Sequence, residues 1–492
     1  MSMIIDVPAT QVRALAKADV VVLGGGTAGF CAAIAAARAG ARTVLVERSA
    51  YLGGCNTATY NTGPGFTHDD DKNQIVGGIG WEFVERMVAR GSAVLNPKAR
   101  GITPQLYPPD TKLVVADMVT AAGVEVFLHC WAGDVLTDEA TGAIRAVLVQ
   151  SKSGRQAVVG KVFVDCTADA DVAASAGATF DLALPTDEES WQTSIDLTVA
   201  NIDPEKVLRW CAENREKLQG GGPRNDPAED HGGVRLGFAL HLTNGNYHYV
   251  KKAYGDAHPA ELESHQGEGN YPTLKLMVRR TASRVQGNVE IDGTDVRQIT
   301  WAEIEGRRRA YANLEYLRRT IPGCEDAFVV GDNPLGVRVS RRVHGEYRVT
   351  IDDLVGNARF DDVVALNARV IDKHLAGDKT EFTYLPGNHD VPLRALLPRG
   401  QVNLLVGGRC LSCDEQSHGS LRGAATCWAT GHAAGAAAAV AARDAGGRVR
   451  GVDVGDVQRL LLGQGAILST SGQTFPAGAT GGALAAVAGG TH

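Results

Sequence analysis

The stretch Asp19–Gly54, DVVVLGGGTAGFCAAIAAARAGARTVLVERSAYLGG, decides the fold. DVVVL is a short β-branched run with the composition of a buried strand. GGGTAG is a glycine-rich turn, FCAAIAAARAG is a helix of small residues that stops at Gly40, and RTVLVE is a second strand. Strand, helix and strand in this order make a βαβ unit, which implies a parallel sheet. Gly24, Gly26 and Gly29 stand at G-x-G-x-x-G spacing in the turn. The first permits the tight turn, the second lets a pyrophosphate approach the backbone, and the third lets helix and strand pack closely. Thr27 and Ala28 lie in the turn that leads into the helix, whose N-terminal N–H groups and partial positive charge suit phosphates. Glu47 ends the second strand. A carboxylate there accepts both hydroxyls of an adenosine ribose and repels a 2′-phosphate, which favours FAD or NAD over NADP. Arg48 follows it, and Gly53 and Gly54 close the block.

The rest of the chain arranges itself around this unit. With 492 residues it is too long for one core and calls for two domains or a large insertion. Thr111–Gly123 reads as a helix, and Val124–Cys166 as several strands joined by Thr-Gly and Ser-Gly turns. Glu213–Gly233 is a polar, Gly- and Pro-rich loop, and Trp301–Ile321 an amphipathic helix. QVNLLVGG from Gln401 returns to buried-strand composition, and a long Ala/Gly helix follows. The expected fold class is α/β: a Rossmann-like domain with a parallel sheet, contributed by residues 1–180 and 391–466, with an α+β substrate or cap domain at 181–390. Residues 467–492 form a Gly/Ala-rich tail. A net charge of −7 without a basic run argues against nucleic acid. Ala424–Ala442 has the length of a membrane span, but its Ala/Gly composition and His432 make it a close-packed buried helix. No membrane contact is expected. The start of the chain lacks the pattern of a signal peptide, and nine scattered cysteines do not make a disulfide framework, so a reducing cytoplasm is the expected location.

The block ERSAYLGG, with its ribose acid followed by Gly-Gly, resembles the FAD-dependent oxidoreductases of the glutathione-reductase-like superfamily. Within it the chain is most similar to the broad FAD-dependent oxidoreductase family, distantly related to fumarate reductase flavoproteins. The resemblance runs from about Asp19 to Ala466. It also rests on KVFVDCTADADVAASAGA (Lys161–Ala178), EIEGRRRA (Glu303–Ala310), LGVRVSRRVHGEYRVTIDD (Leu335–Asp353) and VPLRALLPRGQVNLLVGGRCLS (Val391–Ser412) with GSLRGAATCWATGHAAG (Gly419–Gly435). It implies FAD as cofactor, held also by Thr167, Asp169, Gly408 and Arg409, with the helix start at Gly419, Ser420 and Leu421 facing the flavin. Ala168 stands where the family commonly has glycine, and is harmless only if its φ is negative. Cys55 follows Gly54 where related proteins carry a histidine for covalent attachment, so the FAD is expected to be non-covalent.

A dithiol reductase is disfavoured because only Cys55 follows the Gly-Gly, and no second G-x-G-x-x-G follows a strand. Electrons then pass between a small-molecule substrate and an external acceptor such as oxygen, a quinone or a small redox protein. A dehydrogenase or oxidase moving hydride from carbon to flavin N5 is the leading expectation. A C=C reductase and a non-redox, FAD-containing hydratase or lyase are the alternatives. Proton handling points to histidines and arginines: Arg338, Arg341, Arg342, His344, His389 and Arg394 are candidates, with Arg341 and His389 preferred. His418 is a candidate substrate or flavin contact. Cys410, Cys413 and Cys427 invite a zinc reading, but beside the expected flavin Cys410 reads as a small packed residue and Cys413–His418 as the loop nearest the reactive ring, and no metal is expected. His241, His248, His258 and His265 lack metal-ligand spacing and read as part of a solvated loop. The sequence leaves the oligomeric state open.

Overall fold

The computed structural model describes residues 10–59, 61, 63–95, 101–183, 193–201, 291–375 and 379–471, with short pieces between 203 and 280. Strand β1 (Arg13–Leu23) enters the glycine turn, helix α1 (Thr27–Arg38) follows, and β2 (Thr43–Val46) returns parallel, with Val20 opposite Thr43 and Leu23 opposite Val46. Gly40 ends α1 at φ +86°, a conformation that glycine adopts without strain. β1 starts earlier than DVVVL indicates. Its first five residues are exposed or half-buried, so they lack the apolar signature of a core strand.

Helices α2 (Gly78–Ala89) and α3 (Pro108–Ala121) lead to β3 (Glu125–Phe127), β4 (Trp131–Thr137), β5 (Ile144–Ser151) and β6 (Gly154–Asp165). The strand order is β3-β2-β1-β6-β5-β4. The first four are mutually parallel, and β6, β5 and β4 form an antiparallel meander. The expected parallel sheet is therefore the larger part of a mixed one.

A second sheet is antiparallel throughout: β7 (Thr193–Ala200) lies between β9 (Leu274–Arg280) and β10 (Phe328–Asp332), and β8 (Gly237–Leu242) flanks β9. Helix α4 (Val296–Thr320) packs on it, and Gly306 allows the close approach: a methyl group there would fall 2.8 Å from Ile195 Cγ1. Most of Glu213–Gly233, the side chain of His241, His248, His258, His265 and the tail beyond Ser471 lie outside the described residues.

The chain then returns to the first sheet. β11 (Leu404–Val406) adds parallel to the last three residues of β6, where β5 has stopped pairing. Asn403 bridges that change of partner: its Oδ1 accepts from Ile144 N, and its Nδ2 donates to Ile144 O and Lys161 O. After α5 (Glu415–Leu421), helix α6 (Ala424–Asp444) lies against α1. A methyl on Gly431 or Gly435 would sit 2.1 Å from the carbonyl oxygen of Ala28 or Ala32 respectively. The Ala/Gly composition of α6 is thus a helix–helix contact surface. None of the helices among the described residues is long and apolar enough to cross a membrane. Val349, Leu354, Leu366 and Val391 share one hydrophobic core with α1 and α6, so this core reaches back past residue 390.

Candidate cofactor and substrate site

The carboxyl ends of β1, β2, β6 and β11 and the N-termini of α1 and α6 meet at one cavity of about 1230 Å³. Openings of this kind lie where ligands bind in doubly wound sheets. Each glycine of the turn has its own reason to be bare. Gly24 has φ +93°, and a methyl on it would lie 2.4 Å from Cys166 O. A methyl on Gly29 would lie 1.7 Å from Gly24 O. At Gly26 the nearest atom to such a methyl is Gly54 Cα, at 3.7 Å. Protein packing therefore does not demand glycine at 26, and the room it leaves belongs to the cavity. Neither α1 at Gly26 nor α6 at Gly423 has a side-chain cap, so two uncapped helix starts border the same space.

Glu47 is held at the strand end by Gly25 N, which donates to Oε2 at 2.6 Å, and by Ser49 N, which donates to Oε1 at 2.7 Å. The Arg48 guanidinium lies 5.1 Å from the ring centre of Trp131, and both residues line this end of the cavity. The turn after β6 is tied down by Asp165. Its Oδ1 accepts from Thr167 N at 3.0 Å and Thr167 Oγ1 at 2.6 Å, and its Oδ2 from Ala173 N at 2.8 Å. Burial nevertheless pushes Asp165 up to about 6, the hydrogen bonds opposing it. Ala168 takes φ +72°, so the negative φ that would make its methyl harmless is not the one observed. Asp169 accepts from Ser340 Oγ at 2.5 Å and pairs with Arg409.

Of the expected cofactor contacts, Gly24, Gly26, Thr27, Ala28, Glu47, Arg48, Gly54, Thr167, Asp169, Gly408 and Arg409 line this cavity. Gly29 and Gly53 are packing positions behind it, and a methyl on Gly53 would lie 2.7 Å from Thr57 Cγ2. The helix start expected at Gly419–Leu421 is displaced. Those residues end α5, which Asp414 caps by accepting from Ser417 N at 2.7 Å, and the cavity-facing helix begins after Gly423. Ser420 is turned inward between Asn367 and the Arg369 carbonyl.

Of the expected proton-handling residues, Arg338 lines the cavity and the others do not. Arg341 pairs with Asp171 at 2.9 Å behind the cavity wall. His389 is fully buried, accepts at Nε2 from Asn367 Nδ2 at 3.1 Å, and is pushed down to about 3, first by burial and then by Arg359. His418 Nε2 lies 2.8 Å from Arg409 O, and burial holds its imidazole well below the usual range. Neither imidazole borders the cavity. Arg394 pairs with Asp362, and His344 with Asp181. Cys410 and Cys413 are buried, with thiols pushed up by burial, and no group able to hold a metal ion occurs among the described residues.

The polar side chains that do line the inner chamber include Arg338, Arg369 and Arg422. Sequence reasoning named Arg338 among its candidates and passed over the other two. The Arg422-Gly423 pair, an arginine at the break between two helices, was the available signal.

A βαβ unit with a glycine turn, an acid at the end of its second strand, and a distant strand and helix completing the same cavity define a Rossmann-type dinucleotide-binding fold. The chain belongs to the FAD-dependent oxidoreductase family, whose family model matches residues 19–461, and FAD is the cofactor of that family. No curated protein matches the chain. Similar solved structures include a geranylgeranyl bacteriochlorophyll reductase-like protein from Thermoplasma acidophilum, at 12% identity and TM-score 0.43, covering 92% of this chain and 84% of that one. The flavin-dependent brominase Bmp2 has 13% identity and TM-score 0.44, with 91% and 83% coverage. The p-nitrophenol 4-monooxygenase PnpA of Pseudomonas putida DLL-E4 has 12% identity and TM-score 0.41, with 91% and 84% coverage.

Proposed function

We propose that the protein is an FAD-dependent dehydrogenase or oxidase that takes a hydride from carbon of a small organic substrate. The observation that carries this reading is the continuity of the cavity from the Gly26 turn to a polar chamber beyond Gly408 and Gly423. Non-covalently bound FAD would supply the hydride acceptor at N5 of its ring. Glu47 would hold the adenosine ribose, and Gly26 with the start of α1 the pyrophosphate. Gly408, Arg409 and the uncapped start of α6 would border the ring and place positive potential where negative charge develops on reduction. The buried walls of α1 and α6 exclude water from that side. Electrons would leave to a separate acceptor such as oxygen, a quinone or a small redox protein.

The test is anaerobic. Candidate alcohols, amines and saturated acids are added to the purified yellow protein, and the visible absorbance of oxidised flavin is followed. Bleaching by a saturated substrate, with colour restored by an acceptor, is the expected result. Reoxidation of photoreduced protein only by unsaturated compounds would replace the reading with a C=C reductase. Turnover with no change in flavin absorbance would replace it with a non-redox lyase.

A further inference from the structure

Phe66, Val296, Ile299, Leu335 and Val337 line the same cavity as the glycine turn. They come from places far apart in the chain: Phe66 from the loop before α2, Val296 and Ile299 from the first turn of α4, and Leu335 and Val337 from the turn after β10. None belongs to the sheet that carries the nucleotide turn. Val296 is 73% exposed and the others are half-buried, so their apolar surface faces the cavity instead of a core. Single exposed apolar residues are ordinary, but a group of them on one cavity wall marks a binding surface.

The fold holds this surface in place. Gly101 has φ +68°, and a methyl on it would lie 2.2 Å from Phe66 Cγ, so the phenyl ring lies against bare backbone. A methyl on Gly293 would lie 2.8 Å from Val337 Cγ1, which seats Val337 in the same way. Leu335 N donates to Glu303 Oε1 at 2.9 Å and ties the turn after β10 to α4. Val296 and Ile299, three residues apart, share one face of that helix. The polar groups between them are engaged locally. Thr294 Oγ1 donates to Asp292 Oδ1 at 2.6 Å, Thr59 Oγ1 donates to Cys55 O at 3.2 Å, and Glu303 Oε2 pairs with Arg307 at 3.3 Å. Water against such a wall gains few hydrogen bonds, and an apolar group that displaces it is favoured.

We propose that Phe66, Val296, Ile299, Leu335 and Val337 form a subsite for a hydrocarbon portion of the substrate. This rests on the reading of the cavity as an oxidoreductase site and names its substrate class: a small amphiphile whose reacting carbon lies towards the flavin and whose hydrocarbon chain runs along this wall to Val296.

The experiment uses the oxidised, FAD-loaded protein. 1-Butanol, 1-hexanol, 1-octanol and 1,6-hexanediol are titrated calorimetrically. Affinity should rise about threefold to fourfold for each added methylene. 1,6-Hexanediol, which brings a hydroxyl to the apolar wall, should bind at least about tenfold more weakly than 1-hexanol. Ile299→Asn and Val337→Asn should each weaken 1-octanol by about tenfold while retaining stoichiometric FAD. Val296→Asn, at an exposed position, should weaken it by about threefold, and keeps the test decisive should the half-buried variants lose the cofactor. Affinity independent of chain length, a diol as tight as the alcohol, or wild-type affinity in the variants would overturn the subsite. The two readings fail separately. Chain-length-dependent binding without flavin reduction by any alcohol, amine or saturated acid rejects the dehydrogenase or oxidase and leaves the subsite. Reduction by small polar substrates, unchanged in these variants, does the reverse.

Discussion

At the scale of single residues, the site rests on a few positions whose chemistry can be isolated. Both Glu47 oxygens already accept one backbone N–H each, which fixes the carboxylate but leaves lone pairs for two ribose hydroxyls. Glu47→Gln keeps the size and loses the charge. It should weaken FAD by roughly tenfold to a hundredfold, the worth of charge-assisted hydrogen bonds of about 1.5–3 kcal/mol, as read by fluorescence titration of the apoprotein. Unchanged FAD affinity would mean that the ribose lies elsewhere. Ala168 presents the opposite situation, a methyl group held at φ +72° beside the cofactor cavity. A left-handed alanine costs roughly 1–2 kcal/mol, and glycine gives back part of that through chain entropy. Ala168→Gly should therefore stabilise the protein by about 0.5–1 kcal/mol in denaturant unfolding, and a loss of stability would show that the methyl earns its place by packing.

Elements explain why the glycines are not interchangeable. Gly29 and Gly431 are bare because helix and strand, or helix and helix, come within touching distance, whereas Gly26 faces open space. Gly29→Ala and Gly431→Ala should lower stability by several kcal/mol, because backbone carbonyls have to move. Gly26→Ala should leave the melting temperature of the apoprotein within a degree or two and remove most FAD affinity. An apoprotein as damaged by Gly26→Ala as by Gly29→Ala would assign the turn to packing alone. This contrast also marks what the sequence made legible. The βαβ unit, the acid at the end of its second strand and the returning strand were readable because each rests on local pattern: β-branched runs, glycine spacing, and an acid at a strand end. The helix start at Gly423 was obscured by Asp414, whose capping of a seven-residue helix puts Gly419–Leu421 at that helix's end. His389 and His418 drew attention as imidazoles, but their roles depend on burial, and burial comes from packing between segments far apart in the chain. Arg369 and Arg422 meet through Asp372, a contact between segments that no periodicity announces.

For the whole molecule, buried imidazoles set a response to acid. His68 is pushed down to about 4, His389 to about 3 and His432 to about 4, in each case chiefly by burial, from an ordinary value of 6.5. They sit in separate parts of the fold. His68 stacks edge-on against Trp81, His389 faces Asn367, and His432 bonds to Gln464 at 2.8 Å. Above pH 6.5 these groups are neutral in both folded and unfolded chains and cost nothing. As the pH falls from 6.5 towards 4, the unfolded chain takes up protons that the folded one refuses, and stability drops. Asp165 works the other way. Its folded value of about 6 lies above the ordinary 3.8, so its ionisation costs stability above pH 6, and protonation between pH 6 and 4 returns it. Each shift is worth at most roughly 3–5 kcal/mol at 1.36 kcal/mol per unit, and three histidines outweigh one aspartate. Stability should therefore fall by several kcal/mol between pH 7 and pH 4.5, read as the shift of the urea midpoint with FAD at saturation at both pH values. His432→Gln should flatten part of that slope, since the amide has no proton to gain. A midpoint independent of pH over this range, or a slope untouched by His432→Gln, would show that the imidazoles reach solvent before the fold opens.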